Sequence, residues 1–151
     1  SPKLSGDMAF ARGMAKTIFE DYPDAIKYDF IEKHTHDFTA YKEVVNKTTW
    51  DHICEQSGIE QKDIKQAAKV FVSAKNVIST WAMGLTQHKH SVITIRELSN
   101  LHLMLGQIGR KGAGLCPVRG HSNVQGNRTM GILERPSLQY IENSAQVIRH
   151  K

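Results

Sequence analysis

Ala11, Met14, Ala15, Ile18 and Phe19 recur at the i, i+3, i+4, i+7, i+8 spacing of one helical face. That period predicts an amphipathic helix over residues 8–21, with Asp7 placed to cap it and Pro23 to end it. Phe30, Ile31, Phe38, Tyr41, Val44 and Val45 predict one or two short helices packed by aromatics, after which Thr49 is placed to cap a helix that Gly58 terminates. Ile64, Ala67, Ala68, Phe71 and Val72 repeat the helical spacing and predict a helix over 62–74. The period then changes. Residues 77–83 are short, β-branched and largely apolar, the pattern of a strand buried on both faces of a parallel sheet, and Gly84 punctuates the end of the run. Residues 91–105 carry Val92, Ile93, Ile95, Leu98, Leu101 and Leu105 on more than one side, which predicts a buried helix.

Helix, strand, glycine turn and helix in that order predict an open α/β architecture, with ligands bound beyond the carboxyl ends of the strands. The expected organisation is one α/β domain over 1–133. Its 1–76 part is mainly helical, and its 77–133 part holds the strand, the turn, the helix and a glycine-rich loop. A weakly patterned tail, 134–151, has no assigned role. Glycines at 106, 109, 112, 114, 120, 126 and 131 exclude a long regular helix there and suit close approach of backbone to a ligand. They alternate with specific cations, amides and Pro117, so a binding loop is preferred to a linker of polar filler. Trp50 and Trp81 are expected to fill core.

At 151 residues, 40% hydrophobic and 23% charged, one soluble domain is the expectation. The chain starts at Ser1-Pro2-Lys3 without Met and ends in Ile148-Arg149-His150-Lys151, and is expected to be an excised fragment. It shows no 18-residue apolar run and no secretory signal pattern. Cys54 and Cys116 have no Cys-x-x-Cys spacing, so neither a disulfide framework nor a zinc site is indicated. Charge changes the picture more than composition does. Up to Asn76 there are 11 Lys+Arg against 12 Asp+Glu, and after it 9 against 3, so the net +5 arises in the second part. No basic run exceeds Arg110-Lys111 and few aromatics interleave with the cations, which argues against nucleic acid. A carboxylate-poor, glycine-spaced segment suits an anionic, phosphate-bearing ligand.

Gly84-Leu85-Thr86-Gln87 offers backbone N–H groups, a hydroxyl and an amide at a strand-to-helix turn, where anions are stabilised, although an ordinary βα turn has the same look. In Pro117-Val118-Arg119-Gly120-His121-Ser122-Asn123-Val124-Gln125-Gly126, one fixed cation, one imidazole and several amides lie within a few residues. Arg119 could clamp a carboxylate or stabilise developing negative charge, and His121 could move a proton or donate a hydrogen bond. An Arg paired with a backbone carbonyl and a solvated His are equally open readings. His34-x-His36 and His88-x-His90 lack further ligands nearby and read as surface histidines, and Cys116 reads as a small packing residue.

Three ordered stretches, Trp81-Ala82-Met83-Gly84-Leu85-Thr86-Gln87, Leu105-Gly106-Gln107-Ile108-Gly109 and the loop from Pro117 to Gly126, together resemble the molybdopterin-dependent oxidoreductases. Within them the chain is similar to the formate dehydrogenase alpha-subunit branch. The resemblance covers residues 78–132 closely and Phe30-Ile31-Glu32-Lys33-His34-Thr35 more loosely. It implies a Rossmann-like open sheet with flanking helices, as in the central domains of that family. It also implies a cytoplasmic parent enzyme holding molybdenum or tungsten on two molybdopterin guanine dinucleotides, with an iron–sulfur (4Fe-4S) cluster bound outside this segment. Gly84, Thr86 and Gln87 are carried over as cofactor contacts, and Arg119 as the arginine that orients formate or a comparable small oxyanion. Asn123, Gln125 and Gly126 fall in the same cofactor-side loop. His121 stands where formate dehydrogenases commonly have Gln, so strict formate specificity is not implied. Cys54 and Cys116 match neither the cluster cysteines nor the metal ligand, and the segment by itself is expected to be inactive. The implied partners are the remaining domains of the catalytic subunit, a small oxyanion and an unidentified electron acceptor. Two other classes stay open: a non-redox Rossmann-like nucleotide-binding module, and a purely structural α/β fragment.

Overall fold

The computed structural model describes residues 1–132 and 137–149. Its helical body is built around α1 (Asp7–Asp21), which buries Ala11, Gly13, Met14, Ala15, Thr17 and Ile18. Small residues on several sides let other helices approach closely. At Gly13 an added Cβ would stand 2.8 Å from Ile53 Cγ2 and 2.9 Å from Ile64 Cγ2, so glycine is required there by packing. Gly6 is the N-cap and Asp7 is already helical; its carboxylate still complements the positive end of the helix from the first turn. A single 3-10 turn (Pro23–Ala25) follows.

The aromatic run forms two helices, α2 (Tyr28–His34) and α3 (Phe38–Lys47). Phe38 bridges them to α1, edge-on to Tyr28 at 6.0 Å and tilted against Phe19 at 5.9 Å between ring centres. The predicted caps of α4 (Trp50–Ser57) are both present: Thr49 Oγ1 accepts from the His52 N–H at 3.3 Å, and Gly58 closes the helix in the left-handed conformation at φ 70°. Helix α5 (Gln61–Ser73) buries Ile64 and Ala68 on the face its spacing predicts. Trp50 packs against the core, with its indole N–H donating to Glu20 Oε2 at 3.2 Å.

Beyond α5 the chain forms β1 (Ile78–Trp81), one helical turn α6 (Met83–Thr86), α7 (Ser91–Met104) and β2 (Gly114–Pro117). Strands β1 and β2 pair in parallel, Ile78 with Gly114 through Trp81 with Pro117, and the Val118 N–H donates to the Trp81 carbonyl at 2.7 Å just beyond the ladder. A parallel pair needs a crossover connection, and α6 with α7 supplies it. The class is therefore α/β, helix-rich, with a small two-stranded parallel sheet. The strand is shorter than the predicted 77–83, and it is not buried on both faces. Ile78 is 56% exposed, and among the described residues β1 has one neighbour in the sheet. Trp81 is half-buried rather than in the core, and Cys116, expected to pack, is exposed on β2. Helix α7 buries Glu97, Leu101, His102 and Met104 but exposes Val92 and Ile93 in its first turn.

Gln107 ties this unit together. Its Oε1 accepts from the Val77 N–H at 3.1 Å and from Arg110 Nη2 at 2.9 Å, and Arg110 Nη2 also donates to the Lys75 carbonyl. The entrance to β1 is thereby fastened to the exit of α7, where Gly106 turns the chain at φ 60°.

The chain divides into two compact units, Ser1–Val118 and Arg119–Lys151. The second contains α8 (Val124–Thr129) and α9 (Leu138–Arg149). A boundary between 133 and 134 falls outside the described residues.

Candidate functional site

Three of the candidate residues lie in the first unit. Gly84 sits inside α6 instead of closing a strand, and Thr86 ends that turn. Both are exposed, as is Gln87. Their side chains bond only locally: Thr86 Oγ1 donates to the Ala82 carbonyl at 3.5 Å, and the Gln87 amide reaches Met83 Sδ at 3.7 Å. A Cβ on Gly84 would meet nothing within 4 Å, and no left-handed backbone demands glycine there. Glycine in a helix costs roughly 0.5–1 kcal/mol relative to alanine. Nothing within the described chain repays that cost at Gly84.

The other five lie in the second unit. Arg119 and His121 are exposed, and no hydrogen bond or ion pair joins either side chain to another described residue. The loop read as running to 126 stops at Asn123, which takes the left-handed conformation at φ 56° as the N-cap of α8. Short polar side chains tolerate that geometry best. Gln125 and Gly126 are thus helical. At Gly126 a Cβ would displace the amide end of the exposed Asn123 side chain.

Other described histidines have local partners. His34 lies 4.8 Å from the Phe30 ring, His36 pairs with Asp37 at 3.0 Å, and His88 Nδ1 meets Ser5 Oγ at 2.9 Å. Among the described residues no group of three or more His, Cys, Asp or Glu is placed to hold a metal ion.

Sequence reasoning passed over the buried polar groups of α7. His102 is fully buried; its Nε2 pairs with Ser79 Oγ on β1 at 2.7 Å, and its ring meets Phe71 edge-on at 5.4 Å. Burial lowers its pKa, opposed in part by the backbone of Gln107, although Nδ1 meets no acceptor at hydrogen-bonding geometry. A histidine whose folded pKa is depressed contributes its full stability above the unfolded value of about 6.5 and loses it as pH falls through the folded value. Urea unfolding at pH 7.5 and pH 5.5 should therefore show wild type losing stability on acidification, with a shallower loss in His102→Gln.

A parallel β-α-β unit with an exposed glycine and amide just after its first strand has the makings of part of a ligand site. No family model matches the chain. It is 39% identical over 147 residues to protein YdeP of Escherichia coli, covering 92% of this chain and 19% of that protein. It is 33% identical over 147 residues to formate dehydrogenase H of Escherichia coli, covering 95% of this chain and 20% of that protein. In fold it resembles acetylene hydratase from Pelobacter acetylenicus, with a TM-score of 0.66 and 23% identity over 74% of this chain and 15% of that one. The chain belongs to the formate dehydrogenase-like molybdopterin oxidoreductases, and it spans about a fifth of the length of these relatives.

Proposed function

We propose that the chain is part of an oxidoreductase related to formate dehydrogenase, where it contributes contacts to a pterin guanine dinucleotide and an arginine that orients a small oxyanion. Gly84 carries the reading. A glycine that costs helix stability, with open space where its side chain would be, suits a surface that something outside the segment approaches closely. Thr86 and Gln87 beside it offer a hydroxyl and an amide to phosphate oxygens. Arg119 offers a permanently charged fork to a carboxylate, and exposed His121 offers a ring nitrogen beside it in sequence. The molybdenum or tungsten with its two pterins supplies the redox chemistry, and an iron–sulfur cluster outside this segment takes the electrons. This chain's residues bind, orient and balance charge. On this reading the two parallel strands are one piece of a Rossmann-like sheet completed by other parts of a longer cytoplasmic protein, which would cover the exposed Ile78, Val92 and Ile93.

The test is Gly84→Val in the full-length protein purified with its cofactor. Valine and glycine have similar helix costs and the side chain enters open space, so the cofactor-free protein should melt as wild type does. Bound metal and pterin should fall severalfold. Full metal content in the variant would contradict the assignment of Gly84.

A further inference from the structure

Two neighbouring concavities in the first unit share Lys27, Leu105 and Arg110. One, of about 490 Å³, also takes in Tyr28, Asp29 and Phe30. The other, of about 310 Å³, takes in Val72, Lys75 and Gln107. Lys27 and Arg110 thus line both concavities, Lys75 lines the second and the one carboxylate, Asp29, lines the first.

Charge pairing is uneven along the chain. Lys16, Lys47, Lys62, Lys65 and Arg12 each have a carboxylate within ion-pair distance. Lys27, Lys75 and Arg110 have none among the described residues. Like charges brought together without a counter-charge repel, and an anion that enters relieves the repulsion.

Arg110 and the stem of Lys27 are held in place. Arg110 is fixed through Nη2 by Gln107 Oε1 and the Lys75 carbonyl, while its other N–H groups have no partner among the described residues. The Lys27 N–H donates to the Met104 carbonyl at 2.9 Å, and the Lys27 stem crosses Gly106, its Cγ 3.4 Å from where a Cβ would stand. The same concavities are lined by apolar side chains, Phe30 and Leu105 in the first and Val72 and Leu105 in the second. The volumes fall in the small-molecule range of roughly 300–1,000 Å³, which favours a compact ligand over an extended acidic peptide.

We propose that this depression binds an organic phosphate: the phosphate meets Lys27, Lys75 and Arg110, and a ring or other apolar body lies along Leu105 and Phe30. It uses none of the eight residues discussed above and does not depend on their role.

Isothermal titration of the full chain with GDP, pyrophosphate and guanosine tests it. GDP should bind, pyrophosphate more weakly, and guanosine hardly at all. Lys27→Glu and Lys75→Glu should each weaken GDP about tenfold, the scale of one charge-assisted hydrogen bond. Both variants keep the backbone groups that the fold uses, so their unliganded melting temperature should stay at the wild-type value. Gly84→Val tells the two surfaces apart: GDP binding that survives it and is weakened by the lysine variants lies here, and binding that it alone abolishes lies at the proposed cofactor surface. The proposal is overturned if GDP does not bind, if the two lysine variants bind as tightly as wild type, if affinity is lost in Gly84→Val alone, or if polyglutamate binds and no phosphate does.

Discussion

Replacing Glu97 with alanine should destabilise the protein by about 3 kcal/mol, the lower part of the range for breaking a buried ion pair. The Glu97 side chain is 4% exposed on α7 and accepts two kinds of donor: Oε1 pairs with the Arg12 guanidinium of α1, and Oε2 takes the Tyr41 hydroxyl of α3 at 3.0 Å. One carboxylate therefore joins three helices. Its removal leaves a guanidinium largely out of water without a counter-charge, and a phenol without its acceptor. Arg12 is 20% exposed, so it recovers some hydration, and this places the loss at the lower end. For a chain of this size that loss corresponds to a fall in melting temperature of about 6–12 °C, at roughly 2–4 °C per kcal/mol. Replacing Glu97 and Arg12 together by apolar residues should recover much of the loss, because no charge is then left unpaired. Tyr41 gives a second readout. Burial, followed by the charge and hydrogen bond of Glu97, holds its hydroxyl well above the ordinary tyrosine range, so Glu97→Ala should bring one phenol ionisation down in an ultraviolet titration. Urea denaturation of the single and double variants decides the matter, and equal stability of Glu97→Ala and wild type would refute it.

What could be read from the sequence was local. Helices α1 and α5 follow from a repeating apolar face, and α4 from Thr49 and Gly58, which act on their own turn. Strand β2 could not be read. Gly114-Leu115-Cys116-Pro117 is too short to show a period of two, and it becomes a strand only by pairing with residues 78–81, far back in the chain. Gly84 was read as a stop and forms part of a helical turn, since a glycine marks a departure from one regular state without naming the next. The Arg12–Glu97 pair joins positions 85 apart, and nothing in the spacing around Glu97 separates it from a solvated helix charge. For the candidate site, residue types pointed to an anion, and the structure adds a sharper distinction. A Cβ at Gly126 would meet the amide end of Asn123, whereas at Gly84 it would meet nothing within 4 Å. Of the two, Gly84 is the stronger candidate for a ligand-facing glycine.

In the cofactor-loaded full-length enzyme, Arg119→Lys should lower turnover about 100-fold, the scale for removing one well-placed donor from a developing charge. Lysine keeps the charge but presents a single ammonium, so a paired-oxygen substrate loses the two parallel bonds that fix its orientation. The substitution is informative because Arg119 is exposed and joined to no other described residue, so neither folding nor metal content should change with it. A residue that merely orders the segment before α8 would behave differently: melting temperature and bound metal would fall along with turnover. An arginine that orients substrate shows reduced turnover at normal metal content, with the loss present across the pH range in which guanidinium and ammonium both stay protonated. Measuring kcat, bound molybdenum or tungsten and melting temperature on the same preparation separates these cases. Unchanged kcat would remove Arg119 from the substrate side of the site while leaving the Gly84 assignment to stand or fall by its own test.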